Sequence, residues 1–78
     1  MACIYYYSRQ GCHLCEVMLE ELLPLIRDKL AIEVRDIDLR ADWREKYDRR
    51  VPVLEFDGKV VSEFPLDYDA VRAILAQA

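Results

Sequence analysis

The spacing of apolar positions changes several times along the chain, and each change marks an element. Ala2 to Tyr7 is an apolar, aromatic and β-branched run without a clearly polar face. It predicts a central strand covered on both sides. Ser8 to Gly11 is polar and predicts a loop. From Cys12 the rhythm becomes helical. Leu14, Met18, Leu22, Ile26 and Leu30 recur every four residues, with Val17 and Leu25 beside them and Glu16, Glu20 and Glu21 at polar positions. That is the stripe of an amphipathic helix, with Glu16 in the first turn, where the helix dipole favours an acid. Pro24 removes one backbone hydrogen bond at a cost of about 3 kcal/mol, which predicts a kink near Glu20 to Pro24.

In Ile32 to Asp38, alternation puts Ile32, Val34 and Asp36 on one face and Glu33, Arg35 and Ile37 on the other. The apolar positions change sides between Val34 and Ile37, which predicts a strand that bulges or ends near Asp36. Asp36 and Asp38 read as strand-ending and capping residues rather than a catalytic carboxylate pair. Ala41 to Tyr47 predicts a short helix, with Trp43 and Tyr47 one turn apart and anchoring it to the sheet. Val51 to Phe56 and Lys59 to Glu63 flank Asp57-Gly58, a hairpin signal. Asp67 to Gln77 predicts a last helix, capped by Asp67 or Asp69, with Val71, Ile74 and Leu75 facing inward. The order β-α-β-α-β-β-α is that of an α/β domain. Its first two strands run parallel through a right-handed crossover, the last two form an antiparallel hairpin, and helices cover both faces of a four-stranded mixed sheet.

At 78 residues, the whole chain, 1–78, reads as a single domain. With 54% apolar and 33% charged residues it has the balance of a soluble globular protein, not a disordered one. A net charge of −4 and the lack of a basic stripe argue against nucleic acid. Tyr5, Tyr6 and Tyr7 then read as core and near-site packing rather than a base-stacking platform. No apolar run approaches the roughly 18 residues of a membrane span. The first residues lack the basic start and cleavage site of a signal peptide. The expected setting is therefore the cytoplasm, where structural disulfides are rare.

That setting sharpens the question posed by Cys12 and Cys15, two thiols with His13 and Leu14 between them. They could hold a metal, staple the chain or exchange electrons. A closed zinc site wants four ligands, and only Cys12, His13, Cys15 and Cys3 are at hand. Cys3, in the first strand, reads as a small core residue. A structural staple closing so short a loop constrains the unfolded chain little. Electron exchange suits the context better. Cysteines at the start of a helix meet unpaired amide hydrogens and a partial positive charge, and both favour a thiolate. Cys12, nearest the terminus, is the expected nucleophile. Cys15, one turn in, is the expected resolving thiol. His13, if protonated, would further stabilise the Cys12 thiolate; otherwise it is an exposed loop histidine.

"YSRQGCHLCE", "VRDIDL" and "YDRRVPVLEFDG", in that order, resemble the small glutaredoxin-like proteins of the thioredoxin superfamily over nearly the whole chain. The resemblance implies a thioredoxin-like fold and a thiol–disulfide oxidoreductase. It also implies that Pro52 is cis and faces the CxxC, and that the Val51 backbone pairs with an extended substrate or with glutathione. Arg9, Arg49 and Arg50 are candidate partners for a carboxylate of glutathione or substrate, or else solvated loop charges. Tyr7 is a candidate lining of the groove. The implied partner is a disulfide-containing protein or a glutathione mixed disulfide. No bound cofactor is expected, and glutathione is the candidate reductant. The chain departs from the family pattern at three places. Tyr6 stands where thioredoxins carry a buried acid. His-Leu separates the cysteines. Glu63-Phe64 puts acid and bulk where glutaredoxins hold the γ-glutamyl end of glutathione. Two alternatives remain on the same fold: a metal or iron–sulfur module shared between chains, and a redox-inactive partner-binding domain.

Overall fold

The four strands β1 (Cys3–Ser8), β2 (Ala31–Asp36), β3 (Val53–Phe56) and β4 (Lys59–Ser62) form one sheet in the order β2-β1-β3-β4. The coordinates are those of a computed structural model, which describes residues 2–77. β1 runs parallel to β2, with Tyr6 opposite Val34, and antiparallel to β3, with Tyr7 opposite Val53. β3 and β4 are antiparallel, with an irregularity between Leu54 and Glu55. Both residues of the hairpin turn between them, Asp57 (φ 54°) and Gly58 (φ 77°), have the left-handed backbone that a tight two-residue turn requires. The strands match the expected set with small differences at their ends. Val51 and Pro52 precede β3 rather than open it, and Glu63 lies just past β4.

Alternation along β1 sends Ile4 and Tyr6 to one face and Tyr5 and Tyr7 to the other. On the first face, α1 (His13–Ile26) and α3 (Tyr68–Gln77) bury Met18, Leu22, Ile26, Val71 and Ile74 against Ile4, Tyr6 and Leu54. On the second face, a single 3-10 turn (Ile37–Leu39) and α2 (Ala41–Tyr47) bury Ile37 and Tyr47 against Tyr7 and Val53, with Tyr5, Trp43 and Val51 packed around them. Trp43 and Tyr47 anchor α2 through the Tyr7 ring, at centroid distances of 5.8 and 4.6 Å.

The helical stripe is corrected at both of its ends. The helix that begins at the CxxC does not reach Leu30. It runs through Pro24 without a break and stops at Ile26, and Asp28 (φ 63°) then turns the chain. Leu30 is still buried, because its N–H donates to the Ile26 carbonyl and folds it back under the helix. Leu14, first in the apolar stripe, is 45% exposed because the buried line of α1 begins one position later, at Cys15, and continues through Met18, Leu22 and Ile26. Val34 is likewise exposed, since β2 is an edge strand. β2 ends at Asp36, one of the two outcomes expected there, and the Asp36 carboxylate caps the 3-10 turn by accepting from the Asp38 N–H at 2.9 Å. Asp67 caps α3, its carboxylate accepting from the Ala70 N–H at 3.0 Å.

Candidate active site

The strand directions gather four loops at one end of the sheet. β1 and β2 finish there, β3 begins there and β4 finishes there. Ser8 to Cys15, Asp36 to Leu39, Asp48 to Pro52 and Glu63 to Pro65 therefore form one rim. The carboxyl ends of parallel strands are where such sheets place their ligands.

The first loop is shaped by its backbone. The Cys12 N–H donates to the Arg9 carbonyl at 3.3 Å, and Gly11 (φ 76°) supplies the left-handed third position of that turn. Cys12 then takes the N-cap of α1, with extended backbone (φ −89°, ψ 103°). Its Sγ accepts the Cys15 N–H at 3.1 Å, so a sulfur stands where a serine or aspartate oxygen usually caps a helix. Cys12 and Cys15 are disulfide-bonded, with Cα atoms 5.2 Å apart. Cys12 is half-buried, Cys15 is 3% exposed, and His13 and Leu14 face solvent. One sulfur of the pair is thus open to a partner and the other is shielded. Cys3, the remaining cysteine, is free and partly buried at the far end of β1, away from the rim.

The peptide bond between Val51 and Pro52 is cis, as the resemblance implies. The Val51 N–H, however, donates to the Tyr47 carbonyl at 3.3 Å. It closes the end of α2 and is not a free donor for a substrate strand. Phe64-Pro65 is a second cis peptide on the rim. Ser62, buried at the end of β4, holds this turn: its hydroxyl donates to the Glu63 carbonyl and accepts from the Asp67 N–H, both at 2.9 Å.

Two of the rim cations, Arg9 and Arg50, have partners within the chain. Arg9 donates from Nε and Nη2 to the two Asp38 carboxylate oxygens at 3.0 Å each. It also donates from Nη2 to Asp48 Oδ1 at 2.6 Å and from Nη1 to the Asp48 carbonyl at 3.1 Å. These hydrogen bonds, to Asp38 first and then Asp48, hold the guanidinium above its ordinary pKa, and the Arg9 hydrogen bond draws Asp38 below the usual carboxylate range. Arg9 is thus a latch tying the CxxC loop to the 3-10 turn and the end of α2. Arg50 pairs with Glu63 at 3.0 Å and lies over the Tyr47 ring, 5.3 Å from its centroid. That pair links the loop before Pro52 to the loop after β4 at the solvent surface, where it contributes little to stability. Arg49 is exposed. Tyr7, expected to line the groove, is 3% exposed on the α2 face, and its hydroxyl accepts from Arg35 Nη1 at 2.7 Å. Among the described residues, no three His, Cys, Asp or Glu side chains converge to hold a metal ion.

Two features escaped the reading of the sequence. Tyr6 is fully buried beneath the first turn of α1 and donates its hydroxyl to the Cys15 carbonyl at 2.6 Å. Burial pushes its phenol well above the ordinary tyrosine range, so it stays protonated. The alternation of β1 carried the signal, because a tyrosine on the fully covered face must find a partner for its hydroxyl. Arg35 lies over the Tyr5, Trp43 and Tyr7 rings at 4.0, 5.0 and 5.5 Å, a cation cage that depends on contacts remote in sequence.

Residues 3–76 match the family described as the glutaredoxin-like domain (DUF836). The chain belongs to that glutaredoxin-like family. Two structures of the Northeast Structural Genomics target protein XcR50 from X. campestris resemble it. The X-ray structure is 33% identical, with a TM-score of 0.71 over 96% of this chain and 97% of that one. The solution structure is 35% identical, with a TM-score of 0.72 over 100% and 96%. Thioredoxin 1 from Thermosipho africanus TCF52B is 18% identical, with a TM-score of 0.64 over 96% of this chain and 92% of that one, a likeness of fold alone. No curated protein matches the chain. The glutaredoxin-like domain thus has a thioredoxin-like architecture, with a disulfide-forming CxxC at the start of its first helix. Among its described residues, no helix is long and apolar enough to cross a membrane.

Proposed function

We propose that this glutaredoxin-like domain is a thiol–disulfide oxidoreductase. The observation that carries the reading is the cap: Cys12 Sγ accepts the Cys15 N–H at the N-terminus of α1. When the disulfide is reduced, that N–H and the positive end of the helix dipole meet a sulfur that can carry charge. The Cys12 thiolate attacks a sulfur of the substrate disulfide and displaces one substrate thiolate. Cys15 then gives up its proton to solvent and attacks Cys12 Sγ. The Cys12–Cys15 bond forms, the second substrate thiolate leaves, and two electrons have passed to the substrate. The half-buried Cys12 and shielded Cys15 suit this division of roles.

The substrate is a disulfide-containing protein or a glutathione mixed disulfide. It is received on the rim formed by Val51, Pro52 and the Arg50–Glu63 pair, with the exposed His13 beside Cys12 as a tuning residue. The domain carries no bound cofactor, its oxidised pair is reset by glutathione or a dedicated reductase, and the reducing cytoplasm is its setting. Equilibration of the purified protein in glutathione buffers, with free thiols trapped and counted by mass, tests this. Two thiols should disappear together and reversibly between roughly −270 and −120 mV, the span of CxxC oxidoreductases. A pair that forms no reversible disulfide would overturn the assignment.

A further inference from the structure

Cys15 is held by its backbone from two sides. Its N–H is taken by Cys12 Sγ at 3.1 Å, and its carbonyl is taken by the Tyr6 hydroxyl at 2.6 Å. The second bond comes from the sheet, since Tyr6 is in the middle of β1, paired on one side with Val34 and on the other with Leu54. A hydroxyl donor on that carbonyl also polarises the Cys15–Glu16 peptide. This strengthens the Glu16 N–H as it donates to the Cys12 carbonyl at 3.2 Å, the first hydrogen bond of the helix. The Tyr6 ring is fully buried, so no water can replace its hydroxyl without a cavity opening.

We infer that Tyr6 is a positioning residue for the resolving step: it anchors Cys15 to the sheet so that Cys15 Sγ stays within reach of Cys12 Sγ after Cys12 has bonded to a substrate. The inference rests on the oxidoreductase reading and assigns a residue that reading does not need. The first attack uses only Cys12 and the N–H that caps it. The second is intramolecular, and its rate depends on how narrowly Cys15 is confined. Tyr6 takes no part in the electron transfer. It accepts no proton, because its phenol is already protonated and its oxygen is buried with it.

The test separates the two attacks. Reduced protein, in a Cys3→Ala background that removes the third thiol, is mixed with an aromatic disulfide probe, dithiobis(nitrobenzoate). The attack by Cys12 releases one coloured thiolate, and closure of Cys12–Cys15 releases the second. Tyr6→Phe keeps the ring and removes only the hydroxyl. It should leave the first phase within about twofold and slow the second about fivefold, the equivalent of one ordinary hydrogen bond. An unchanged second phase, or two phases slowed alike, would overturn the inference. A wild-type protein with no second phase would instead strike at the oxidoreductase reading. If Tyr6→Phe does not fold, the wild type decides: the buried Tyr6 hydroxyl proton should give a slowly exchanging NMR resonance in both redox forms, and its loss on reduction would refute the anchor.

Discussion

Reduction of the Cys12–Cys15 bond should leave Cys12 with a strong preference for the thiolate, and the size of that preference follows from its cap. The Cys15 N–H points at Sγ at 3.1 Å, and a hydrogen bond to a charged group is worth about 1.5–3 kcal/mol. The start of α1 adds about 0.3–1 kcal/mol for an anion. Together these give about 2–4 kcal/mol in favour of the thiolate. At 1.36 kcal/mol per unit of pH, half-ionisation should fall by about 1.5 to 3 below that of the same thiol in the unfolded chain. The perturbation is Cys15→Ser, which leaves Cys12 unable to close its disulfide while keeping the residue 15 N–H. A Cys3→Ala background leaves Cys12 as the only thiol. The assay is the rate of alkylation by iodoacetamide against pH, followed by mass, for the folded protein and for the same protein in urea. A thiol whose ionisation is favoured in the folded state contributes its stabilisation fully above the unfolded chain's thiol pKa, and loses it as pH falls through the folded value. The folded variant should therefore lose stability over that window relative to a version with Cys12→Ser. Alkylation curves for folded and unfolded protein that coincide within about 0.5 would refute the reasoning, because the cap would then give Cys12 no charge stabilisation.

Two further outcomes test the frame around the site. Leu22→Ala empties a fully buried position between α1 and the sheet and should cost about 2–5 kcal/mol in urea unfolding; a loss under about 1 kcal/mol would contradict the placement of α1. The Arg9 hydrogen bonds keep Asp38 ionised below the usual carboxylate range, so its stabilisation is present above that range and is lost as pH falls through the lowered value. The wild type should accordingly lose more stability than Asp38→Asn between pH 6 and 3, read as urea midpoints, and equal losses would show that the Arg9 latch contributes nothing.

The elements were legible in the sequence because they rest on local periodicity. The apolar run of β1, the four-residue stripe from Cys12, the Asp57-Gly58 turn and the Asp67 cap each depend on residues within a few positions of one another. So does the CxxC, whose chemistry follows from standing at a helix start. The ends of elements were less legible. Leu14 and Leu30 fit the helical stripe by spacing, and only the docking of α1 on the sheet puts Cys15 rather than Leu14 on the buried line and folds Leu30 back beneath the helix.

The roles of polar side chains on the rim were decided by the fold alone. Arg9 is 29 and 39 residues away from the two aspartates it holds. Its sequence neighbourhood offered an open cation beside two thiols, whereas the fold brings the ends of β1, β2 and α2 together and satisfies it. Tyr7 stands beside the loop in sequence, but the pleat sends its ring to the α2 face. Tyr6, one residue before it, is sent to the face where α1 begins, and its hydroxyl ends on Cys15. The sequence by itself determined which residues repeat, turn, cap and carry reactive sulfur, since those properties belong to the local chain. Which polar atoms face one another is fixed only in the folded chain, since strand pairing brings distant residues to the same place.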